Sequence, residues 1–273
     1  MSAGWRLSVS QLRSRGDAPA LRSVDATLTY GELADRTAEV VSALRTAGIA
    51  AGEPVGLLFG HRGHVEPIAL AATLCAGAVA VPLDHHSPAT RLSAILRARG
   101  CRALLHDGAA GPLAEALVGP ELRIRMDPCG GIDGCTGRPS LSPVRTPTSA
   151  CILHTSGTTG VPKAVSIEWA GLDAFTEWMV SLTALSAGDR VLRVSELIFD
   201  LAWFDHLATW RVGATLATIE RRELVSARTI FAQVAALRPQ VIYAVPSFFM
   251  KLVAGLPADR SLHPELRVCL LYT

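Results

Sequence analysis

A loop of glycine, serine and threonine residues closed by one lysine lies between two short apolar segments. Residues 154–165 read His-Thr-Ser-Gly-Thr-Thr-Gly-Val-Pro-Lys-Ala-Val, and the apolar segments at 150–154 and 164–167 have the length of strands. Gly157 and Gly160 allow the backbone to bend so that its N–H groups converge on an anion. Hydroxyl and ammonium donors are added by Thr155, Ser156, Thr158, Thr159 and Lys163. The loop therefore predicts a phosphate-binding site for a nucleoside triphosphate.

Loops rich in glycine, serine and threonine also occur in two other settings. The first is an ordinary hairpin turn between the two strands, since glycine, serine and threonine are also common in turns. The second is a Walker P-loop, which has four residues between its glycines and a Lys-Ser/Thr pair directly after the second glycine. Here two residues separate Gly157 from Gly160, and Val161 and Pro162 precede Lys163. The spacing therefore indicates a different class of nucleotide enzyme.

The elements before the loop are expected to alternate between strands and helices. Apolar runs at 55–59, 78–81 and 103–106 have the length of buried strands. The segments between them, 67–76 and 88–99, are typical of helices. Strands that alternate with helices form βαβ units, so we expect a parallel sheet.

The same alternation is predicted after a stretch at 107–149 that is rich in glycine, proline, serine and threonine. Further strands are expected at 151–154, 164–167, 190–195, 214–218, 240–245 and 266–272, and helices at 169–182, after Asp200 and at 227–237. Ser226 is predicted to cap the last of these helices.

This pattern predicts an α/β protein with two βαβ-type subdomains and mainly parallel sheets. The first subdomain is placed at 1–127 and the second, which carries the phosphate loop, at 150–273. A Gly/Pro/Ser-rich connection at 128–149 is expected to join them.

Composition narrows the class of protein and of partner. The chain has 273 residues, of which 49% are hydrophobic and 18% charged, as in a compact globular protein. A net charge of +2 with dispersed arginines argues against a nucleic-acid partner. No strongly apolar run is long enough to cross a membrane, so no membrane partner is expected. The six cysteines follow neither a metal-binding spacing nor a disulfide framework, which favours a cytoplasmic location.

Four segments in collinear order resemble the AMP-forming adenylating superfamily. Residues 155–163 are similar to its signature loop. Residues 28–33 and 74–84 are similar to the first and second core motifs of adenylation domains, and Phe199-Asp200 to the fourth. The similarity is greatest to amino acid adenylation domains of nonribosomal peptide synthetases and to D-alanine to carrier protein ligases. Ala164, in place of a usual glycine, and His85-His86, in place of a Pro-Ser-Tyr-like segment, depart from the pattern without affecting the phosphate donors.

The resemblance implies the first part of the large N-terminal domain of an adenylate-forming ligase, with ATP and Mg²⁺ as cofactors. In such a ligase an amino acid carboxylate attacks the α-phosphate to give an aminoacyl-AMP and pyrophosphate. The phosphopantetheine thiol of a carrier protein then takes the acyl group. The loop at 155–163 would hold the β and γ phosphates, and Lys163 would add positive charge.

The resemblance also indicates the substrate-binding residues. Asp200 is expected to hold the α-ammonium group of the amino acid, since a buried ammonium needs a carboxylate partner. The alternative is that Asp200 only caps the helix after it. The matching pocket positions are Leu201, Phe204, Tyr243, Leu271 and Thr273. Their apolar, bulky character favours a small or medium uncharged substrate side chain, although Phe204 and Tyr243 would also suit an ordinary core.

The remaining titratable residues receive no role. His61, His64 and His206 are lone histidines, which are commonly surface or satisfied core residues. Asp84, His85 and His86 lie together after a strand, but the sequence places no third ligand beside them, so a loop is favoured over a metal site. No catalytic residue and no metal ligand is assigned.

The chain stops at 270–273 inside an apolar strand. By the resemblance, the adenine-stacking segment with its Mg-binding acid, the ribose-binding aspartate, the hinge and the small C-terminal domain with its catalytic lysine would follow. We therefore expect an incomplete ligase that makes little or no adenylate. Two alternatives remain open: a fragment of an acyl-CoA synthetase or fatty-acyl-AMP ligase, and a non-catalytic remnant that binds a nucleotide or a partner protein.

Overall fold

The computed structural model describes residues 4–61, 63–132, 147–155, 163–257 and 265–271. The helices of this part of the chain are α1 (Val9–Arg13), α2 (Tyr30–Thr46), α3 (Val65–Cys75), α4 (Ala89–Arg99), α5 (Gly111–Leu117), α6 (Trp169–Thr183), α7 (Leu201–Val212), α8 (Ala227–Leu237) and α9 (Pro246–Ala254). The strands are β1 (Pro19–Arg22), β2 (Thr27–Thr29), β3 (Pro54–Leu58), β4 (Val79–Leu83), β5 (Ala103–His106), β6 (Arg123–Arg125), β7 (Ser149–Thr155), β8 (Lys163–Glu168), β9 (Arg190–Arg193), β10 (Thr215–Thr218), β11 (Val241–Ala244) and β12 (Val268–Leu271).

The chain divides into two compact units, each with its own six-stranded sheet. The first unit contains the described residues up to 13 and from 32 to 174, and the second contains 14–31 and the described residues from 175 onward. This division differs from the predicted boundaries at 127 and 150. Strands β7 and β8 pair within the first sheet, whereas β1 and β2 leave the N-terminal region to complete the second. The boundary between the two units therefore follows from strand pairing, which the composition of the sequence does not reveal.

The first sheet has the strand order β6-β5-β3-β4-β7-β8. All neighbouring pairs are parallel except β7 with β8. Helix α4 packs against this sheet, and its Leu92, Ile95 and Leu96 share a buried cluster with Leu58 and Val81. Helix α3 has no polar face, since residues 65–74 are all buried. Nearly continuous apolar strands and buried helices are typical of a parallel sheet covered by its crossover helices.

The second sheet has the order β12-β11-β9-β10-β1-β2. Its pairs are parallel except β1 with β2. One buried cluster joins Ile230, Val234 and Leu237 of α8 to Phe248 and Leu252 of α9. The apolar side of α8 therefore faces the core.

The predicted fold class is confirmed: the protein is α/β, with two mainly parallel sheets. Among the described residues, no helix combines the length and the apolar composition needed to cross a membrane.

Candidate functional site

The phosphate loop predicted from the sequence connects the two strands of a hairpin. Strands β7 and β8 are antiparallel, and Thr155 lies opposite Lys163 in their register. The hairpin expected as an alternative is therefore present, with the loop at its end. This arrangement brings the two outer donors of the loop together, so a hairpin and an anion site are compatible here. The inner donors, Ser156, Gly157, Thr158, Thr159 and Gly160, lie outside the described residues.

The described ends of this loop are open to solvent. Thr155, Lys163 and Ala164 are all exposed, and most of β8 is exposed with them. An ammonium group on an exposed hairpin arm can meet a phosphate without first breaking a bond inside the protein. The two described ends of the loop, Thr155 and Lys163, are therefore accessible to an anion.

The loop leaves the edge of the sheet at which ligands of open α/β folds bind. Strand β7 runs parallel to β4, with Cys151 beside Ala80. Thr155 therefore lies toward the carboxyl ends of the parallel strands, where β3, β4 and β5 also end. Crevices at this edge are the usual binding sites in such sheets.

Asp107, which the sequence analysis did not select, organises the neighbouring loops at this edge. Its buried carboxylate accepts hydrogen bonds from the backbone N–H groups of Gly60, His61 and Ala110, at 3.1, 2.9 and 2.8 Å. The His61 Nδ1 atom lies 3.2 Å from the same carboxylate. The sequence signal that could have found Asp107 is its position directly after a strand and three residues before Ala110. Aspartates in such positions accept hydrogen bonds from backbone N–H groups a few residues later in the chain.

The cluster Asp84, His85 and His86 forms a turn. The Asp84 carboxylate accepts from the backbone N–H of His86 at 3.0 Å and from the Ser87 hydroxyl at 3.1 Å. Within the described residues, no three histidine, cysteine or acidic side chains are arranged to hold a metal ion.

Asp200 lies at the start of a helix that is otherwise buried. Residues 201–210 are all buried, whereas Asp200 and Phe199 are exposed. From the described residues, the Asp200 carboxylate accepts one hydrogen bond, donated by the backbone N–H of Leu201 at 3.0 Å. The capping role considered for Asp200 is thus present. One such bond leaves most of the acceptor capacity of a carboxylate available to a cation.

The opposite end of α7 is held by two residues from the N-terminal part of the second unit. The Tyr30 hydroxyl donates to the carbonyl oxygens of Ala214 at 2.7 Å and of Thr209 at 3.3 Å. The Arg15 guanidinium donates to the carbonyl oxygens of Trp210 and Arg211 and lies 5.0 Å from the centre of the Tyr30 ring. A cation at the C-terminal end of a helix also matches its dipole.

Phe204 and Tyr243, predicted as pocket walls, contact each other edge to face. Their ring centres are 5.5 Å apart, at an interplanar angle of 80°. Phe204 is fully buried and Leu201 nearly so, while Tyr243 on β11 is partly exposed. Phe204 belongs to a buried cluster with Val191 and other apolar residues, so it has the core role that the sequence left open. Its place one turn after Asp200 also puts it on the same side of α7.

Leu271 and Thr273 are the last two predicted pocket residues. Leu271 lies beside Ala244 in the parallel register of β12 with β11, one position beyond Tyr243. Thr273 lies outside the described residues. Asp200, Leu201, Phe204, Tyr243 and Leu271 therefore all belong to the second unit, on α7 and two adjacent strands, and their role in substrate binding stays a prediction.

Two buried cysteines and one histidine of the first unit have shifted pKa values. Burial raises the pKa of Cys75 and of Cys101 to about 12, so these thiols stay protonated at neutral pH. Burial, together with Arg99 and Arg91, lowers the pKa of His154 below its usual value. His154 directly precedes Thr155, so the residue before the loop carries a neutral imidazole at pH 7.

These features are those of an α/β adenylate-forming ligase, with a Gly/Ser/Thr loop on one sheet and an aspartate-led helix on the other. The chain belongs to the AMP-binding enzyme family, which matches residues 9–272. The resemblance inferred from the four motifs is thereby confirmed, and with it the expectation of an enzyme family of ligases.

Named relatives are modular synthetases and a carrier protein ligase. The chain is 30% identical over 262 residues to the pyochelin synthetase PchE of Pseudomonas aeruginosa, covering 93% of this chain and 17% of PchE. It is 32% identical over 255 residues to the phosphinothricin tripeptide synthetase PhsC of Streptomyces viridochromogenes, covering 91% of this chain and 23% of PhsC. It is 26% identical to the D-alanine–D-alanyl carrier protein ligase of Bacillus velezensis, covering 93% of this chain and 50% of that ligase. The chain thus spans half or less of the length of these relatives.

Solved structures show the same fold. The O-succinylbenzoate coenzyme A synthetase MenE of Bacillus subtilis, in complex with AMP, matches with a TM-score of 0.82 at 18% identity, covering 99% of this chain and 68% of MenE. The AMPPNP-bound form of the nonribosomal peptide synthetase FmoA3 matches with a TM-score of 0.81 at 24% identity, covering 97% and 28%. At these identities the similarity establishes the fold alone.

Proposed function

We propose that the chain supplies the ATP-binding loop 155–163 and the amino acid-binding Asp200 of a ligase that joins the two substrates as an aminoacyl-AMP with release of pyrophosphate, and that this chain by itself makes little or no adenylate. The phosphopantetheine thiol of a carrier protein is the proposed acceptor of the aminoacyl group. The activity of the adenylate-forming ligase family supports the first step. A carrier protein ligase and modular peptide synthetases among the relatives support the choice of acceptor.

The observation that carries the choice of an amino acid is the position of Asp200. It is an exposed carboxylate at the N-terminal end of a buried helix, and its one hydrogen bond from the described residues goes to the backbone of Leu201. A carboxylate that is not engaged in an ion pair is suited to a substrate ammonium group, since such charge-assisted hydrogen bonds are strong. A ligase for fatty or aryl acids needs no carboxylate at this point.

The proposed pocket beyond Asp200 is apolar. Phe204 follows one turn later on α7, and the Tyr243 ring packs against it. Leu201 adds a further apolar side chain, and Leu271 and Thr273 are proposed to complete the wall. Such a lining favours a small or medium uncharged side chain on the substrate.

The chemistry of the proposed adenylation is electrostatic positioning. The exposed Thr155 hydroxyl and Lys163 ammonium, on opposite strands of the hairpin, would bind the β and γ phosphates together with the inner donors of the loop. Positive charge there stabilises the negative charge that grows on the leaving pyrophosphate. The carboxylate of the amino acid, held through its ammonium group by Asp200, is the nucleophile.

The ATP part of the proposal is tested by calorimetric titration of ATP into the intact chain. Lys163→Gln is expected to weaken ATP binding about tenfold, because a charge-assisted contact to phosphate is lost. Lys251→Gln is the matched control, since Lys251 is an exposed lysine on α9. Equal affinities of the wild type and the Lys163 variant, or equal losses in both variants, would remove the loop from the proposed site.

The substrate part is tested with a panel of amino acids, fatty acids and aryl acids in ATP–pyrophosphate exchange and in calorimetry. Binding is measured beside exchange because it reports on the pocket even at low turnover. Asp200→Ala is expected to abolish the response to the preferred amino acid while ATP affinity is retained. Activation of acids that lack an amino group, unaffected by Asp200→Ala, would instead identify an acyl-CoA or fatty-acyl-AMP ligase. ATP binding with no response to any acid would support a non-catalytic protein.

A further inference from the structure

Helix α4 carries three arginines and no acidic residue. Its sequence, ATRLSAILRAR, places Arg91, Arg97 and Arg99 along a helix of eleven residues. Arg91 and Arg99 are eight residues apart, with Ile95 midway, so they lie on one side of the helix about 12 Å apart along its axis. Arg97 lies on a different side and donates to the Ser93 hydroxyl at 2.8 Å.

The buried side of α4 belongs to an apolar cluster that also contacts strand β7. Leu92, Ile95 and Leu96 form a buried cluster against which Ile152 of β7 packs. Because side chains alternate along a strand, His154 points to the same face of the sheet as Ile152. His154 directly precedes Thr155, the first residue of the loop, and both arginines are near enough to influence its charge.

The electrostatics agree with this placement. After burial, which is the largest cause, Arg99 and Arg91 both lower the pKa of His154. Neither arginine forms an ion pair with a carboxylate of the described residues, whereas Arg102, just beyond the helix, is paired with Glu53 at 3.1 Å. Among the described residues, no carboxylate therefore pairs with these two arginines, the cations that disfavour a proton on His154.

Two nitrogen atoms of this cluster also lack a hydrogen-bond partner. The His154 Nδ1 and the Arg99 Nε atoms are buried, and neither bonds to another part of the chain that the structure describes. Buried polar atoms are nearly always hydrogen-bonded, so two unpaired nitrogens in one cationic cluster point to an external anion as partner.

We propose that Arg91, Arg99 and His154 form an anion subsite that binds inorganic pyrophosphate beside loop 155–163. Guanidinium groups bind phosphate oxygens in a bidentate manner, and the neutral imidazole supplies one further N–H donor. The identity of the anion rests on the proposed function, because pyrophosphate is the product of the adenylation step. The subsite itself rests on the geometry of α4 and β7. It provides a place to which pyrophosphate moves when it leaves the loop.

The test is calorimetric titration of inorganic pyrophosphate into the intact chain and into single variants. Arg91→Gln and Arg99→Gln are each expected to weaken pyrophosphate binding about tenfold, as for the loss of one charged hydrogen-bonding partner. Arg97→Gln, on another side of the same helix, removes the same charge and is expected to bind like the wild type. AMP titrated into the same variants shows whether the arginines act on a free anion or on the nucleotide. Thermal melting checks that each variant folds. Replacement of Arg91 is not expected to disturb folding, because its side chain is exposed.

Three results would overturn the subsite: unchanged pyrophosphate affinity in the Arg91 and Arg99 variants, an equal loss in the Arg97 variant, or no pyrophosphate binding by the wild type. An effect on AMP equal to that on pyrophosphate would also overturn it. The proposed function is tested separately by Lys163→Gln with ATP. If pyrophosphate binding depends on the arginines but ATP binding does not depend on Lys163, the subsite stands and the proposed function is rejected. If ATP binding depends on Lys163 but pyrophosphate binding does not depend on the arginines, the proposed function stands and the subsite is rejected.

Discussion

The hydroxyl group of Tyr30 lies 2.7 Å from the carbonyl oxygen of Ala214, just beyond the end of α7. Tyr30 belongs to the first of the four segments that carry the family resemblance, and α7 begins directly after Asp200, which belongs to the fourth. The first segment thus holds the C-terminal end of the helix whose N-terminal end carries the proposed substrate carboxylate. Its role is to position α7.

Replacing Tyr30 by phenylalanine is expected to destabilise the protein by about 1 to 3 kcal/mol. The change removes a buried hydroxyl that donates to two carbonyl oxygens and leaves an acceptor without this partner. Urea unfolding measures the loss. Trp178→Phe, at an exposed ring on α6, is the control and is expected to stay within about 0.5 kcal/mol of the wild type. Equal stability of Tyr30→Phe and the wild type would show that the two hydrogen bonds contribute nothing.

Two substitutions at Asp200 separate its capping role from its proposed ionic role. Asparagine is as good an N-cap residue as aspartate but carries no charge, whereas alanine has neither property. Asp200→Asn is therefore expected to keep thermal stability and to lose amino acid binding. Asp200→Ala is expected to lose both, with a stability cost of about 1 kcal/mol. If Asp200→Asn binds the amino acid as tightly as the wild type, Asp200 is a cap alone.

Ser226 caps α8, so its replacement is expected to lower the free energy of unfolding. Its hydroxyl accepts from the backbone N–H of Thr229 at 3.1 Å. Ser226→Ala is expected to destabilise the second unit by about 1 kcal/mol, while Ser226→Asp keeps the acceptor and the stability. Urea unfolding of the three proteins decides this, and a Ser226→Asp variant as unstable as Ser226→Ala would contradict the cap.

Gly255, at the end of α9, is required by close packing. A Cβ atom added there would lie 2.0 Å from the carbonyl oxygen of Ala227, the first residue of α8. Gly255→Ala is expected to cost about 2 to 3 kcal/mol, because one helix must shift. Gly171→Ala is the matched control: nothing lies within 4 Å of the added atom, which stands in the first turn of α6. It is expected to stabilise the protein by about 0.5 to 1 kcal/mol, since it restricts the unfolded chain. Similar melting temperatures of the two variants would contradict the packing argument.

His154 is expected to make the protein less stable at mildly acidic pH. Its pKa is lower in the folded protein than the usual value of 6.5, owing to burial, Arg99 and Arg91. As the pH falls below about 6.5, the unfolded chain takes up the proton first, so the free energy of unfolding decreases until the folded pKa is reached. His154→Gln should lose this part of the pH dependence, and Arg91→Gln should reduce it. Urea unfolding between pH 7.5 and about 5 measures the slopes. Identical slopes in all three proteins would refute the assignment.

Local sequence patterns located most of the elements. The strands around 55–59, 78–81 and 103–106, the helix at 88–99 and the cap at Ser226 are all present. These signals are local: an apolar run of strand length, or a serine before a helical pattern, involves only a few neighbouring residues. Such signals can therefore be recognised from the sequence. Helix α9 and strands β1 and β2 were not predicted. These elements are short, and they are stabilised by packing against distant residues such as Leu216, which lies beside Leu21.

The sequence by itself determined the fold class and the family, because these depend on residue types in fixed local order. Only the tertiary structure decided that residues 14–31 complete the second sheet and that β7 and β8 belong to the first. It also decided that Tyr30 and Arg15 hold the end of α7, and that Arg91 and Arg99 act on His154. These relationships join residues far apart in the chain. They arise from strand pairing and side-chain packing, which no short sequence window contains.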